Sequence, residues 1–471
     1  MRKLLLLSVL PAMIFAGSSC KKSKTTVSAA QITIGQTISS GSPLCGAIKG
    51  TFKADSTYTV SCDITVNAGD TVLIQKGVTI KMTNTAAFVV NGTFISLGTK
   101  AAPVTITDPT RVKTTGSSLY GVDSAYVGGW QGVYCGPTCG LFVAKFTHFD
   151  FAGAGLKNIP FPGPALKDNY TIYYGNTAGY FVMEDSWIYG AKDDAVRFYG
   201  GKVNIMRNTL EKCGGNGGDG FNAKGGTQGN MAYNLFVGNA TNGTKSANDG
   251  GINPECMITM YNNTYVNCGH RNTGAFGARG GCAEVENQSK GLVYNNIIVN
   301  CRFGYRIAGG NSVTAKVYHA DTTSNAADPI PMTAYGYNLM YGDDSLPNQF
   351  VPTNVAQAVI THPQSTDIPD MKTFLGTSYT YGFQYDGSSL AGKNDPKFVN
   401  YPLPNHNYQT QSSIDGYDFH LSTTSPAIGK GYQSFSPITL VPVDPNFGSS
   451  GITGPGKDLG CYQVDGSGNV H

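Results

Sequence analysis

Four aspartates and two basic residues carry the most chemistry that the spacing of this sequence offers. Asp193 and Asp194 stand together in "KDDAVRF", Asp219 opens "DGFNAK" inside "GGDGFNAKGG", and Asp249 sits in "NDGGIN". The interval from Asp194 to Asp219 is 25 residues, and from Asp219 to Asp249 it is 30. A chain that returns to one place at such intervals would stack these carboxylates close enough to share a hard cation. Ca²⁺ takes about six to eight oxygens at about 2.3–2.6 Å, which Asp, Asn and loop carbonyls supply. Lys224 and Arg306, the latter in "GYRIAGG", are the candidate base or carboxylate clamp, with Lys192 and Arg197 on the same side. The plainer reading is that Asp in a glycine-rich stretch builds a turn.

Whether those residues meet depends on a repeat. "NTLEKC" (208–213), "NLFVGN" (234–239), "NTYVNC" (263–268) and "NIIVNC" (296–301) align, with "DSWIYG" (185–190) upstream and "NLMYGD" (338–343) downstream. Each starts with Asn or Asp and carries an apolar residue at the third place: Trp187, Leu210, Phe236, Tyr265, Ile298 and Met340. Alternation with period two marks a strand. The spacings of 23, 26, 29, 33 and 42 keep the strand constant while the connection grows. That is the pattern of a solenoid of parallel strands, each turn buried only by its neighbours. Inward amides repeating at the strand spacing of about 4.8 Å can hydrogen-bond in a ladder and satisfy polar groups inside the coil. A β-sandwich with Asn-rich turns is the alternative.

Composition agrees with a turn-dense β protein. Of 471 residues, 61 are Gly and only 13% are charged, against a usual share of about 25%. From Cys20 onward there are 31 basic and 30 acidic residues, because Arg2 and Lys3 lie in the leader. This balance gives no electrostatic case for a nucleic-acid partner. "MRK" followed by "LLLLSVLPAMIFAG" is a charged start and an apolar run too short to span a membrane. Ten cysteines remain after Cys20, an even number that allows up to five disulfides. Cys135 and Cys139, which flank "GPT", are placed to staple a turn.

The leader and "AGSSCKKSK" resemble a bacterial lipoprotein signal of the Bacteroidetes type, which implies cleavage after residue 19 and lipidation of Cys20. Residues 20–44 then read as the anchored tether, and the protein as exported to the outer membrane or cell surface. The repeat resembles the right-handed parallel β-helix of the pectin-lyase-like superfamily. The expected fold class is therefore all-β, a right-handed parallel β-helix with an inward asparagine ladder and a long loop insertion. "WQGVY" (130–134), "DDAVRFYGGKVN" (193–204) and the ending "KDLGCYQVDGSGNVH" resemble surface β-helix lipoproteins of the same type. One domain is expected over 45–471, with the insertion at about 309–395 and a closing segment at 396–471.

A narrower resemblance concerns chemistry. "DGFNAK" is similar to the D-G-F-x-x-K run of calcium-dependent polysaccharide lyases of family 9. That likeness carries Asp219 onto the family's first acidic position and implies Ca²⁺ held by aspartates of neighbouring turns, for which the spacing offers Asp193, Asp194 and Asp249, and a base such as Lys224 removing a proton beside a uronic carboxylate, with the cation stabilising the developing charge. The family's next acidic run reads Asn248-Asp249-Gly250-Gly251-Ile252 here, so two of its three acids are missing. A pectin-hydrolase pattern is more broken: "CGHRN" lacks the second Gly after His270, and Ala308 stands where a Lys would follow Arg306-Ile307. His270 reads as structural. The function expected is action on a polysaccharide by a lipid-anchored monomer, in its sharpest form Ca²⁺-assisted β-elimination of a uronic-acid polymer. The alternative is a non-catalytic carbohydrate-binding or structural surface lipoprotein.

Overall fold

Short runs of β-branched and aromatic residues, broken by Gly and Asn, bury a face only by stacking on copies of themselves. The computed structural model describes residues 32–114, 123–155, 169–215, 217–248, 254–271, 282–301, 305–307, 320–321, 324–341, 395–403 and 413–471. Cys20 and its leader, Asp249 and all of the 309–395 insertion except 320–321, 324–341 and 395 lie outside them, and of Arg306 only the backbone is described. Thr33–His471 group as one compact unit.

From Thr71 the strands recur in threes. The first strand of each turn, such as Tyr180–Glu184, Lys202–Met206 and Gln228–Ala232, stacks in a 10-stranded sheet. Second strands (Thr147–Ala152, Trp187–Ala191, Thr209–Cys213, Leu235–Val237) and third strands (Val196–Tyr199, Phe221–Lys224, Thr244–Ala247) stack likewise. The long strand Thr57–Val66 pairs with one of each and joins these two columns into a 19-stranded sheet. All these pairings are parallel, and no α-helix occurs among the described residues. The chain is a parallel β-helix of three strands per turn.

Its interior is built of stacked like residues. Phe142 is stacked between Phe94 and Phe181 with ring centroids at 5.0 and 4.5 Å and nearly parallel ring planes. Farther along the first sheet the packing tightens until a Cβ at Gly229 would lie 1.9 Å from the Val203 carbonyl oxygen. No side chain fits there. The asparagine ladder is present: Asn208, Asn234, Asn263 and Asn296 each donate from Nδ2 to Oδ1 of the next, at 2.9, 3.0, 3.1 and 2.8 Å, ending on Asn338.

The ladder's upstream end differs from the sequence alignment by one residue. Ile188 pairs with Leu210 and Trp187 with Thr209, so Ser186, not Asp185, takes the ladder position. Ser186 N–H donates to Asn208 Oδ1, and Thr147 N–H donates to Ser186 Oγ. A hydroxyl serves where an amide serves below, because both can accept the N–H of the neighbouring turn. Trp187 therefore faces outward, and Asp185 forms a bidentate pair with Arg207 at 2.7 and 2.8 Å.

The residue before each ladder position makes the corner between first and second strands. Phe146, Asp185, Arg207, Tyr233, Asn262, Asn295 and Tyr337 all hold φ between 45° and 61°, a left-handed conformation that turns the chain within one residue. The C-terminal segment runs along this corner. Asn262 and Asn295 donate from Nδ2 to the carbonyls of Asp458 and Tyr432 at 2.7 and 2.8 Å. Glu184 accepts from Ser450 N–H at 3.0 Å.

Among the described cysteines only Cys45 and Cys62 form a disulfide; the other eight are buried thiols. The even count thus overstates the bridging. Cys135 and Cys139 span their turn as neighbouring thiols inside the hydrophobic core, not as a bridge.

Candidate functional site

The acidic corner lies just before the third strand of each turn. Asp194 and Asp219 do stack, since Val196 pairs with Phe221. The next residue in that stack is Asn242, because Phe221 pairs with Thr244; Asp249 follows the strand instead of preceding it. Both carboxylates are filled by donors. Asp194 accepts from Arg197 Nε at 2.6 Å, from Asp219 N–H at 2.6 Å and from Asn222 Nδ2 at 3.2 Å. Asp219 accepts from Thr241 Oγ1, from Asn242 N–H at 3.1 Å, and from the Asn242 and Asn222 amides at 2.8 and 2.7 Å. Burial pushes the Asp194 carboxyl up, with Arg197 opposing. Burial also works against the Arg197 charge, but Asp194 and Tyr170 outweigh it and hold that pKa above the ordinary arginine value.

This donor set does not fit Ca²⁺. A cation shared by Asp194 and Asp219 would have to displace a guanidinium, two side-chain amides and two backbone N–H groups, and no group of three or more metal-ligating side chains occurs among the described residues. The corner works as a second polar ladder, in which each carboxylate accepts the backbone N–H of the next turn. Asp193 stands beside it, its N–H donating to the Asn169 carbonyl.

Of the basic candidates Arg197 reaches the corner, through Asp194, and Lys224 does not. Asp219 precedes the strand Phe221–Lys224 and Lys224 ends it, a separation of more than ~10 Å at ~3.3 Å per residue. The Arg306 backbone pairs with Glu284, at the far end of the run of paired positions Arg197, Asn222, Lys245 and Glu284. That puts it three turns from Asn222, roughly 14 Å along the axis at the usual strand spacing. Lys245 is held by Glu286 and Glu284 at 2.5 and 3.3 Å. His270 is buried, with Nε2 on the Asn300 carbonyl at 2.8 Å.

A different place has the features of a ligand site. On the outer face of the second strands, His148 pairs with Trp187 and Trp187 with Thr209, while Asp150, Tyr189 and Glu211 form the adjacent column. The C-terminal segment stands over them and encloses a cavity of about 290 Å³. Trp187 is sandwiched, with His148 at 4.1 Å and His471 at 4.0 Å between ring centroids. Tyr417, Phe419 and Tyr462 also line the cavity. Lys113 Nζ sits 4.6 Å from the Tyr189 ring centroid.

Two carboxyl groups face this cavity, Glu211 from the floor and Asp415 from the exposed rim. Burial pushes Glu211 up to about 7, with Lys113 and the Ile414 N–H opposing and the Asp415 charge adding. Glu211 Oε1 accepts from Ile414 N–H at 3.1 Å. Burial lowers His148 to about 4 and His471 to about 3, so both rings are neutral at ordinary pH. Asp150, buried beside them, is raised by burial to about 6.

Sequence reasoning missed this cleft because the one-residue misalignment turned Trp187 inward. The signal was available: in the correct register "HFD", "WIY" and "TLE" put His148 and Asp150, Trp187 and Tyr189, and Thr209 and Glu211 outward, an aromatic or a carboxylate at five of six places. No protein family, characterised protein or solved structure matches the chain. No helix among the described residues is long and apolar enough to cross a membrane. Fold and cleft together define a parallel β-helix with an aromatic, carboxylate-bearing pocket beneath its own C-terminal segment.

Proposed function

We propose that this protein binds polysaccharide at the cell surface, exported by its leader and held by lipid on Cys20, and that the Trp187 cleft is where the sugar sits. The observation that carries the reading is the cleft's wall chemistry. With Trp187 already covered by His148 and His471, the rings of Tyr417 and Phe419 in the lining offer the apolar faces that match the C–H face of a pyranose, and a few polar groups among them match its hydroxyls. Calorimetric titration of a protein beginning after Lys24 with homogalacturonan, alginate, xylan and mannan fragments tests it. Binding of one polymer that is abolished in Trp187→Ala supports the reading; no binding to any polymer sinks it.

β-Elimination of a uronic-acid polymer is the second reading, drawn from the likeness of the run from Asp219 to Lys224 to D-G-F-x-x-K. It is followed by ultraviolet absorbance of unsaturated products, with and without added Ca²⁺. Absorbance growth that Lys224→Ala abolishes establishes it, and silence across the panel removes it.

A further inference from the structure

We propose that the cleft cleaves its sugar: Glu211 and Asp415 are the acid and base of a glycoside hydrolase acting on a pyranosyl oligosaccharide. This rests on the cleft being the sugar site and goes beyond binding. Two carboxyl groups face one cavity from different elements, one buried on the β-helix floor and one exposed on the closing segment. That asymmetry is what acid–base cleavage of an acetal requires. The acid must hold its proton near neutral pH, while the base must be ionised and reachable by water.

The local geometry assigns the proton. Glu211 Oε1 is occupied as an acceptor by the Ile414 N–H, so the acidic hydrogen belongs on Oε2, which has no hydrogen-bond partner among the described residues. The raised Glu211 pKa is consistent with this donor role. Asp415 lies one residue beyond Ile414, so the contact that fixes Glu211 also brings the second carboxyl to the lining of the same cavity. Mere sugar recognition would be served by ionised carboxylates as acceptors, and burying a carboxyl without an ion-pair partner adds only a desolvation cost.

The step balances as follows. Glu211 Oε2 gives its proton to the glycosidic oxygen as the bond from that oxygen to the anomeric carbon breaks. Water adds to the anomeric carbon and loses a proton to Asp415. The products are a new reducing end and a free hydroxyl on the departing sugar. Glu211 regains and Asp415 releases one proton through solvent. Nothing is oxidised or reduced.

The test uses the protein beginning after Lys24 with the same four polymers, followed by reducing-end release between pH 5 and 8 alongside calorimetric binding. The expected result is release of reducing ends from the polymer that binds, with the rate falling as pH rises past about 7. Glu211→Gln and Asp415→Asn should each lower that rate at least about a hundredfold, the usual worth of acid–base catalysis, while binding changes less than about threefold. Asp415 is exposed, so its variant cannot fail through the core. Binding without reducing ends at any pH overturns hydrolysis and leaves the sugar site standing. Full activity in either variant also overturns it. No binding to any polymer takes both readings down together.

Discussion

The side-chain amide of Asn234 donates to Oδ1 of Asn263 at 3.0 Å, and the Asn234 backbone N–H donates to the same oxygen at 3.0 Å. One buried acceptor thus closes two donors on the neighbouring turn. Asn263→Ala removes it and strands both, at about 1–3 kcal/mol each. We expect a loss of about 2–4 kcal/mol in chemical denaturation with the fold retained. A change below about 0.5 kcal/mol would show that the ladder is incidental to stability.

Asp219 is expected to matter for folding and not for the cleft. Asp219→Ala leaves Thr241 Oγ1, the Asn242 N–H and the Asn242 amide without their common acceptor. The expected outcome is a clear drop in melting temperature, with sugar affinity of the surviving folded fraction unchanged. Thermal melts and calorimetry on the same sample separate the two effects. Normal melting with lost activity would return Asp219 to the chemistry.

Glu211 makes stability depend on pH in an unusual direction. Its carboxyl is raised from 4.5 to about 7 in the folded chain, so between those values the native state binds more protons than the unfolded one. The associated stability is fully present below pH about 4.5 and is lost as pH rises through about 7. Glu211→Gln should abolish that loss, gaining on the order of 1–3 kcal/mol over the wild type at pH 8 and little at pH 4. Denaturation at the two pH values reads it directly. Equal effects at both would contradict the burial of this group.

His471 acts with the opposite sign. Its folded pKa is lowered by burial from 6.5 to about 3, so its contribution is present above pH about 6.5 and is lost as pH falls toward 3. Deleting this last residue also strips the ring stacked on Trp187. The truncated protein should show a flatter stability profile between pH 6.5 and 4, and Trp187 fluorescence shifted to longer wavelength as water reaches the indole. Unchanged fluorescence would mean that His471 does not cover Trp187 in solution.

Much of this architecture was written locally. The period of two, the recurring Asn and the drifting loop lengths together demanded parallel stacking, because each strand has one apolar face and no partner within its own turn. The ladder from Asn208 to Asn338 followed from that alone. Where the repeat switches chemistry, from Asn208 to Ser186 and Thr147, amide matching failed, since the ladder needs only an acceptor for the neighbouring N–H and a hydroxyl supplies one. The same one-residue slip reversed the facing of Trp187. Aspartates at the right interval read as a metal site because a stack of carboxylates looks identical, in sequence, whether a cation or a row of N–H groups neutralises it.

The cleft belongs to tertiary structure. Glu211 and Ile414 are 203 residues apart and meet only because the closing segment folds back along the coil. Glu211 resembles any strand glutamate in the sequence; its proton affinity comes from its burial in the folded chain, where it meets the Ile414 N–H. Repetition specifies the coil, because each turn needs only its neighbour. The pocket depends on a contact without a period, and so it had to be seen folded.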